Sequence, residues 1–238
     1  MKISIIHATM GRPEKAVAAR DMWFKQATKP CHIEYIFGTH LDDLTAPALR
    51  RISGMEQKQH YGTLFTDTNK RGSAANYAKA ATLASGELLI QGQDDLEPPA
   101  FWDMELISRL EKECGAEWMH KRVFIAVSDG YRPDRLCITS IMTRPYFLFK
   151  REFICGDYPG LYADDENTYR AYRDQRDGNC QVIEARDLVF RHRHHYHDLS
   201  VPWDDTYCAE NADESYQSGA KLFNERNPEA QKDGIKTW

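Results

Sequence analysis

Four strand-length runs punctuate the first hundred residues: Lys2–His7, Cys31–Phe37, Gly62–Phe65 and Glu87–Gln91. The first is rich in β-branched isoleucine, a residue that suits a pleated, buried surface. Helix-patterned stretches lie between them. Pro13 suits the first turn of a helix, and Glu14–Gln26 then spaces Val17, Met22 and Trp23 among polar neighbours. Ala74–Ala84 is alanine-rich and is stopped by Gly86. Residues 44–60 are polar and weakly periodic, which predicts an irregular helix or loop. Strands alternating with helices in this way point to an α/β fold, with a mainly parallel central sheet flanked by helices on both faces. In such sheets ligands bind beyond the carboxyl ends of the strands.

The second half is less regular. Pro98 and Pro99 open a helix that runs to about Glu113. Val123–Ser128 reads as a strand, Leu136–Met142 and Pro145–Lys150 as two more, and Gln181–Val189 as the last. Asp164–Arg176 has helical character, and Asp205–Asn227 reads as a polar helical tail covering the core. With no internal repeat and no linker composition, a single domain over 1–238 is expected. Residues 1–100 would form a ligand-binding half, 101–198 a second half and 199–238 the tail.

Composition removes several classes. A chain of 238 residues with 42% hydrophobic and 28% charged residues is neither disordered nor collagen-like. Thirty-one Lys and Arg against 36 Asp and Glu leave a net charge of −5, which gives no electrostatic support to binding nucleic acid. No run approaches the roughly 18 apolar residues of a spanning helix, and the apolar start is shorter than the about 7–15 residues of a signal peptide. Cys31, Cys114, Cys137, Cys155, Cys180 and Cys208 are scattered without metal or redox spacing, as in reduced cytoplasmic proteins.

Three polar clusters carry the candidate chemistry. Asp94-Asp95 follows the fourth strand, where a divalent cation would offset the cost of two adjacent carboxylates. The plainer reading is a helix cap. Asp164-Asp165-Glu166 opens a helix, where acidic side chains favour the dipole. The same groups can also supply a general base. His192, His194, His195 and His197 crowd into six residues after Val189-Phe190. His192 and His194 would share one side of an extended segment and could complete a metal sphere, or the segment is a solvated loop. Weaker candidates are Asp42-Asp43 beyond the second strand, for a base or ribose, and Arg12 with the Asn69–Ser73 turn, for phosphate. That turn is not a phosphate loop of the GxxxxGK[ST] kind.

The order of these features resembles the GT-A glycosyltransferases, and most closely their large inverting family of bacterial and phage enzymes. Thr9-Met10-Gly11-Arg12-Pro13 matches the turn after the family's first strand. Asp42 or Asp43 answers its acidic nucleotide-binding residue, and Asn69 through Asn76 answers, with one insertion, its Asn-x-Gly…Ala-x-Asn helix start. Ala84-Ser85-Gly86-Glu87, the strand and Gln93-Asp94-Asp95 follow the family's Ala-x-Gly-Glu and Asp-x-Asp metal motif, with Trp102 behind. Tyr146–Phe153 resembles the acceptor-side segment, and Asp164-Asp165 with Arg170 resembles the acidic pair and arginine beyond it. Three positions depart from the pattern. Gln93 replaces the first Asp, the second strand's loop lacks Asp-Asp-Gly-Ser, and the base motif is Asp-Asp where Glu-Asp is usual.

The resemblance implies a nucleoside-diphosphate sugar donor bound by Thr9, Arg12, Asp42, Asn76, Gln93 and Asp94. It implies a Mn²⁺ or Mg²⁺ ion on Asp95, helped by His192 or His194. Asp165, or failing that Asp164, would deprotonate an acceptor hydroxyl in a single, inverting displacement. The acceptor would be a glycan or, in a phage enzyme, a modified nucleobase. Two rivals share such a fold: a sugar-1-phosphate nucleotidyltransferase, which would carry a glycine-rich phosphate loop, and a non-catalytic nucleotide- or sugar-binding protein.

Overall fold

A computed structural model describes residues 1–44, 46–55 and 62–230. The chain runs β1 (Ile3–Ala8), α1 (Pro13–Gln26), β2 (Ile33–His40), α2 (Ala46–Met55), β3 (Thr63–Thr68), α3 (Ser73–Ala81) and β4 (Leu88–Gly92). Then come β5 (Leu96–Glu97), α4 (Trp102–Cys114), β6 (Val123–Ser128), β7 (Ile141–Thr143), α5 (Arg144–Lys150) and α6 (Ala163–Arg176). The chain closes with β8 (Gln181–Val189), β9 (Arg191–His192), α7 (Asp205–Glu210) and α8 (Asp213–Arg226).

Seven strands form one sheet in the order β3-β2-β1-β4-β7-β6-β8. All neighbours pair parallel except β7, which runs antiparallel to β4 and β6. Side chains alternate across the sheet, so neighbouring isoleucines of β1 enter different cores. Ile5 joins Tyr35, Ile90, Trp23, Trp102 and Leu106 on the α1–α4 face. Ile6 joins Ile36, Leu89, Tyr77, Tyr169 and Phe223 on the α3–α6–α8 face.

A buried polar knot ties the amino ends of β1, β2 and β4. Glu34 accepts hydrogen bonds from the Ser4 hydroxyl at 2.5 Å, the Gly86 amide at 3.1 Å and the Ser85 hydroxyl at 2.9 Å, and pairs with Lys2 at 2.6 Å. Burial works to raise its pKa, but Lys2 and these donors outweigh it and hold the carboxyl below its usual value. A Cβ on Gly86 would stand 2.7 Å from the Lys2 carbonyl and the Ser4 amide, so only glycine lets the chain pass there.

The expected first-half strands and helices are present. Within 44–60, Ala46–Met55 is helical, and residues 45 and 56–61 lie outside the described residues. Three expectations are corrected. Pro145–Lys150 is not a strand but lies in α5, because proline occupies its first turn. Of Leu136–Met142 only Ile141 and Met142 are in a strand. The helix after Pro98-Pro99 starts at Trp102.

Candidate functional site

A cleft of about 980 Å³ opens at the carboxyl ends of β1, β2 and β4. Thr9, Arg12, Asp42, Asn76, Gln93, Asp94, Asp95, Asp164, His192 and His194 all line it, whereas Asp165 does not. The switch-point location is the one expected for a sheet of this kind.

The Gln93-Asp94-Asp95 turn after β4 sends its three side chains in different directions. Gln93 Nε2 donates to the Ile138 carbonyl at 2.7 Å, which ties the turn to the chain entering β7. Asp94 turns back to the loop after β1. It accepts from Thr9 Oγ1 at 3.1 Å, meets His7 Nε2 at 2.9 Å and lies 3.9 Å from Arg12. His7 is buried and its Nδ1 lies 2.6 Å from the Tyr35 hydroxyl. A carboxylate only accepts, so the His7 Nε2 carries the proton in its contact with Asp94.

Asp95 points the other way. Its Oδ2 accepts from the Tyr207 hydroxyl at 2.6 Å, and Oδ1 lies 3.4 Å from His192 Nε2. Local pairing makes this meeting possible. β5 and β9 form a two-stranded antiparallel ribbon with Leu96 opposite His192, and the Arg193 amide donates to the Asp95 carbonyl at 2.7 Å. Burial pushes the Asp95 pKa up, but His192, Tyr207 and His194 overcome it and bring it to about 2. His192 is raised: its burial opposes the charge, and Asp95 more than compensates. His194, whose ring lies 5.2 Å from that of His192, is lowered to about 4 by burial and by His192.

Among the described residues no three His, Cys, Asp or Glu side chains are already gathered into a metal cage. The chemistry of the donor set nonetheless fits a divalent ion that takes its remaining ligands from a phosphorylated molecule. Asp95 supplies a carboxylate ionised at neutral pH, and His192 and His194 offer imidazole nitrogens on the same cleft wall. Carboxylate oxygen suits magnesium and manganese alike, and an imidazole ligand favours a transition metal. His195 and His197 are otherwise engaged: His195 Nδ1 meets the Val201 carbonyl at 2.5 Å, and His197 stacks on Tyr131.

The acidic triplet opening α6 divides three ways. Asp164 is half-buried and lines the cleft. Asp165 is buried, and its Oδ1 has no hydrogen-bond partner among the described residues. Glu166 accepts both Nε and Nη2 of Arg226 at 2.9–3.1 Å and so fastens α8. Burial raises the pKa of both aspartates, and the repulsion between them raises Asp165 further. α6 itself is pinned by a buried chain: Lys150 donates to Asn167 Oδ1, and Asn167 Nδ2 donates to Ser140 Oγ at 2.6 Å. The Ser140 amide donates at 3.0 Å to Gln91, which also lines the cleft.

At the opposite rim Asp42 is exposed, while its neighbour Asp43 is buried and accepts the Gly11 amide at 3.3 Å. Asn76 is buried in α3, with its Oδ1 unpartnered among the described residues. Gly72 enters that helix at φ +105°, where a Cβ would meet the Pro159 carbonyl at 2.5 Å. Sequence reading missed His7, Tyr35, Lys15, Asp204 and Tyr207. The one available signal was His7, a polar residue ending an apolar strand.

No family model and no curated protein sequence matches the chain. Solved structures do. A mannosyltransferase from Pyrobaculum calidifontis, in complex with GDP-Man and Mn²⁺, superposes with a TM-score of 0.60 at 12% identity over 92% of this chain. S. aureus TarS 1-349 with UDP-GlcNAc gives 0.56 at 14% over 94%. Glucosyl-3-phosphoglycerate synthase from Mycobacterium tuberculosis, with Mn²⁺, UDP and glucosyl-3-phosphoglycerate, gives 0.53 at 14% over 93%. The matches span 73%, 67% and 78% of those chains, and 36% of a longer TarS chain. The fold is that of the GT-A glycosyltransferases.

Proposed function

We propose that the protein is a glycosyltransferase that moves a sugar from a nucleoside-diphosphate sugar to an acceptor hydroxyl, with inversion and with a divalent ion. The observation that carries this is the placing of Asp95, His192 and Asp164 around one cleft at the switch point of a GT-A sheet. The structural neighbours hold GDP-Man, UDP-GlcNAc and Mn²⁺ in their own complexes, which supports the same ligand class here.

In this reading residues 1–100 bind the donor and 101–198 face the acceptor. Asp42 or Asp43 with Asn76 takes the nucleoside, and Thr9, Arg12, Gln93 and Asp94 order the loops around the diphosphate. Asp95 and His192, with His194 beside them, hold the cation. When bound, that ion would supply charge neutralisation for the departing diphosphate. Asp164 is the better-placed base, because it lines the cleft while Asp165 does not. It takes the acceptor's hydroxyl proton as the oxygen attacks the anomeric carbon from the face opposite the diphosphate. Asp165 sits behind it: its backbone amide donates to Asp164 Oδ1 at 3.2 Å and helps to orient that carboxyl.

The direct test is a panel of nucleotide sugars with Mn²⁺ or Mg²⁺, scored by nucleoside diphosphate release with and without candidate acceptors. Release of diphosphate that depends on acceptor supports the reading. Release of pyrophosphate from a nucleoside triphosphate and a sugar-1-phosphate would favour a nucleotidyltransferase instead. Binding without turnover would favour a non-catalytic protein. His192→Ala and His194→Ala, measured separately for Mn²⁺ affinity, identify which ring is the ligand.

A further inference from the structure

The C-terminal segment enters the cleft much as a ligand would. Asp204, the residue before α7, pairs through one oxygen with Arg12 and through the other with Lys15 Nζ at 2.9 Å. Tyr207 lies 4.2 Å from the Arg12 guanidinium, face to cation, while its hydroxyl donates to Asp95. Thr206 Oγ1 donates to the Met10 carbonyl at 3.4 Å. All of these contacts fall on the loop and helix after β1 and on the turn after β4. An anion held by two cations, beside a carboxylate assigned to a metal, is the charge pattern a diphosphate presents.

The pairing is strong for its position. The Asp204 carboxyl is only partly buried, yet Arg12, Lys15 and the Tyr207 amide outweigh the burial and hold it far below the usual carboxylate range. The segment bearing it is held at the cleft by these contacts and by the rings of Trp203 and Tyr207 against His194, and by little in the core. Of the described side chains of α7, only Tyr207 is buried. The next helix, α8, is fixed independently by Phe223 in the core and by Arg226 on Glu166. Asn211 and Ala212 separate the two helices, so α7 can leave the cleft while α8 stays.

We propose that Arg12 and Lys15 form the binding pair for the donor's diphosphate, and that Asp204 competes for them, so that α7 is displaced when a nucleoside diphosphate binds. The naming of that anion rests on the glycosyltransferase reading. A diphosphate carries more negative charge than one carboxylate and offers oxygens to both cations at once, so it prevails at sufficient concentration. Apparent affinity is reduced by the fraction of molecules in which α7 occupies the site. Lys15, 39% exposed on the first turn of α1, becomes a binding residue that sequence motifs do not mark.

The test is calorimetric titration of inorganic pyrophosphate, UDP and GDP, each with Mg²⁺, into the full chain and its variants. Asp204→Ser removes the charge but keeps a side chain able to cap α7, and Asp204→Asn serves if the serine variant melts early. The expected result is roughly three- to tenfold tighter binding of pyrophosphate and of whichever nucleoside diphosphate binds. Adding Lys15→Ala should remove that gain. Unchanged or weaker pyrophosphate binding by a folded Asp204→Ser variant would overturn the proposal, as would absence of pyrophosphate binding to any form. If pyrophosphate tightens but no nucleoside diphosphate binds any form, the competition stands and the glycosyltransferase reading falls. If nucleoside diphosphates bind the wild type and the substitution gains nothing, the reverse holds.

Discussion

His7 and Asp94, 87 residues apart in sequence, meet at 2.9 Å between the carboxyl ends of adjacent parallel strands. The contact sets one arm of the turn that carries Asp95. Because the ring also bonds the Tyr35 hydroxyl, its orientation is fixed by a buried chain of three groups. His7→Phe removes a hydrogen bond to a charged acceptor, a contact worth about 1.5–3 kcal/mol. Nucleoside diphosphate should then bind about tenfold or more weakly, while Tyr35→Phe should have a smaller effect. Equal affinity in wild type and His7→Phe would show that the turn holds its shape unaided.

Asp95 should carry the metal dependence. Asp95→Asn keeps the shape and loses the charge, and turnover should fall by at least about 10²-fold. EDTA should do the same to the wild type, with recovery on adding Mn²⁺. Full turnover in excess EDTA rules out the assigned role.

Asp164 and Asp165 should separate cleanly. A general base contributes about 10²–10⁴-fold, so Asp164→Asn should lose that much turnover with the donor dissociation constant little changed. Asp165→Asn should cost less. A larger loss from Asp165→Asn would restore Asp165, the base that the family resemblance implies.

The same pair makes a stability prediction. Burial and mutual repulsion raise the Asp165 pKa in the fold. A carboxyl with a raised folded pKa contributes stability that is complete below its unfolded pKa, about 3.9, and is lost as pH rises through the folded value. Asp165→Asn escapes that loss. The variant should match the wild type near pH 4 and gain on it toward neutrality, by about 2–4 °C in Tm for each ~1 kcal/mol. Melting curves at pH 4.5 and 7.5 decide it, and a constant offset between the two would mean that Asp165 is ionised in the fold.

The first four strands were legible because buried parallel strands are apolar on both faces and are bounded by helix patterns. Pro145–Lys150 misled because Tyr146-Phe147-Leu148-Phe149 has strand composition, and only the proline at its start marked a helix. The Gln-Asp-Asp turn and the α6 triplet stood out as local clusters. The partners of those groups did not. Tyr207 reaches Asp95 across 112 residues and Asp204 reaches Arg12 across 192, and no local pattern encodes either meeting. For the base, spacing could not separate Asp164 from Asp165, because adjacent residues differ only in which way the helix turns them.

The ribbon of β5 and β9 also sets a timetable. Leu96 and His192 are paired directly, so Asp95 gains its imidazole neighbour only when the chain is complete through residue 192. During synthesis the strands β1 to β4 can assemble long before that, with the carboxylates of the turn in place. The candidate metal centre is therefore among the last features a nascent chain acquires, and an incomplete chain would present the cleft without the imidazole.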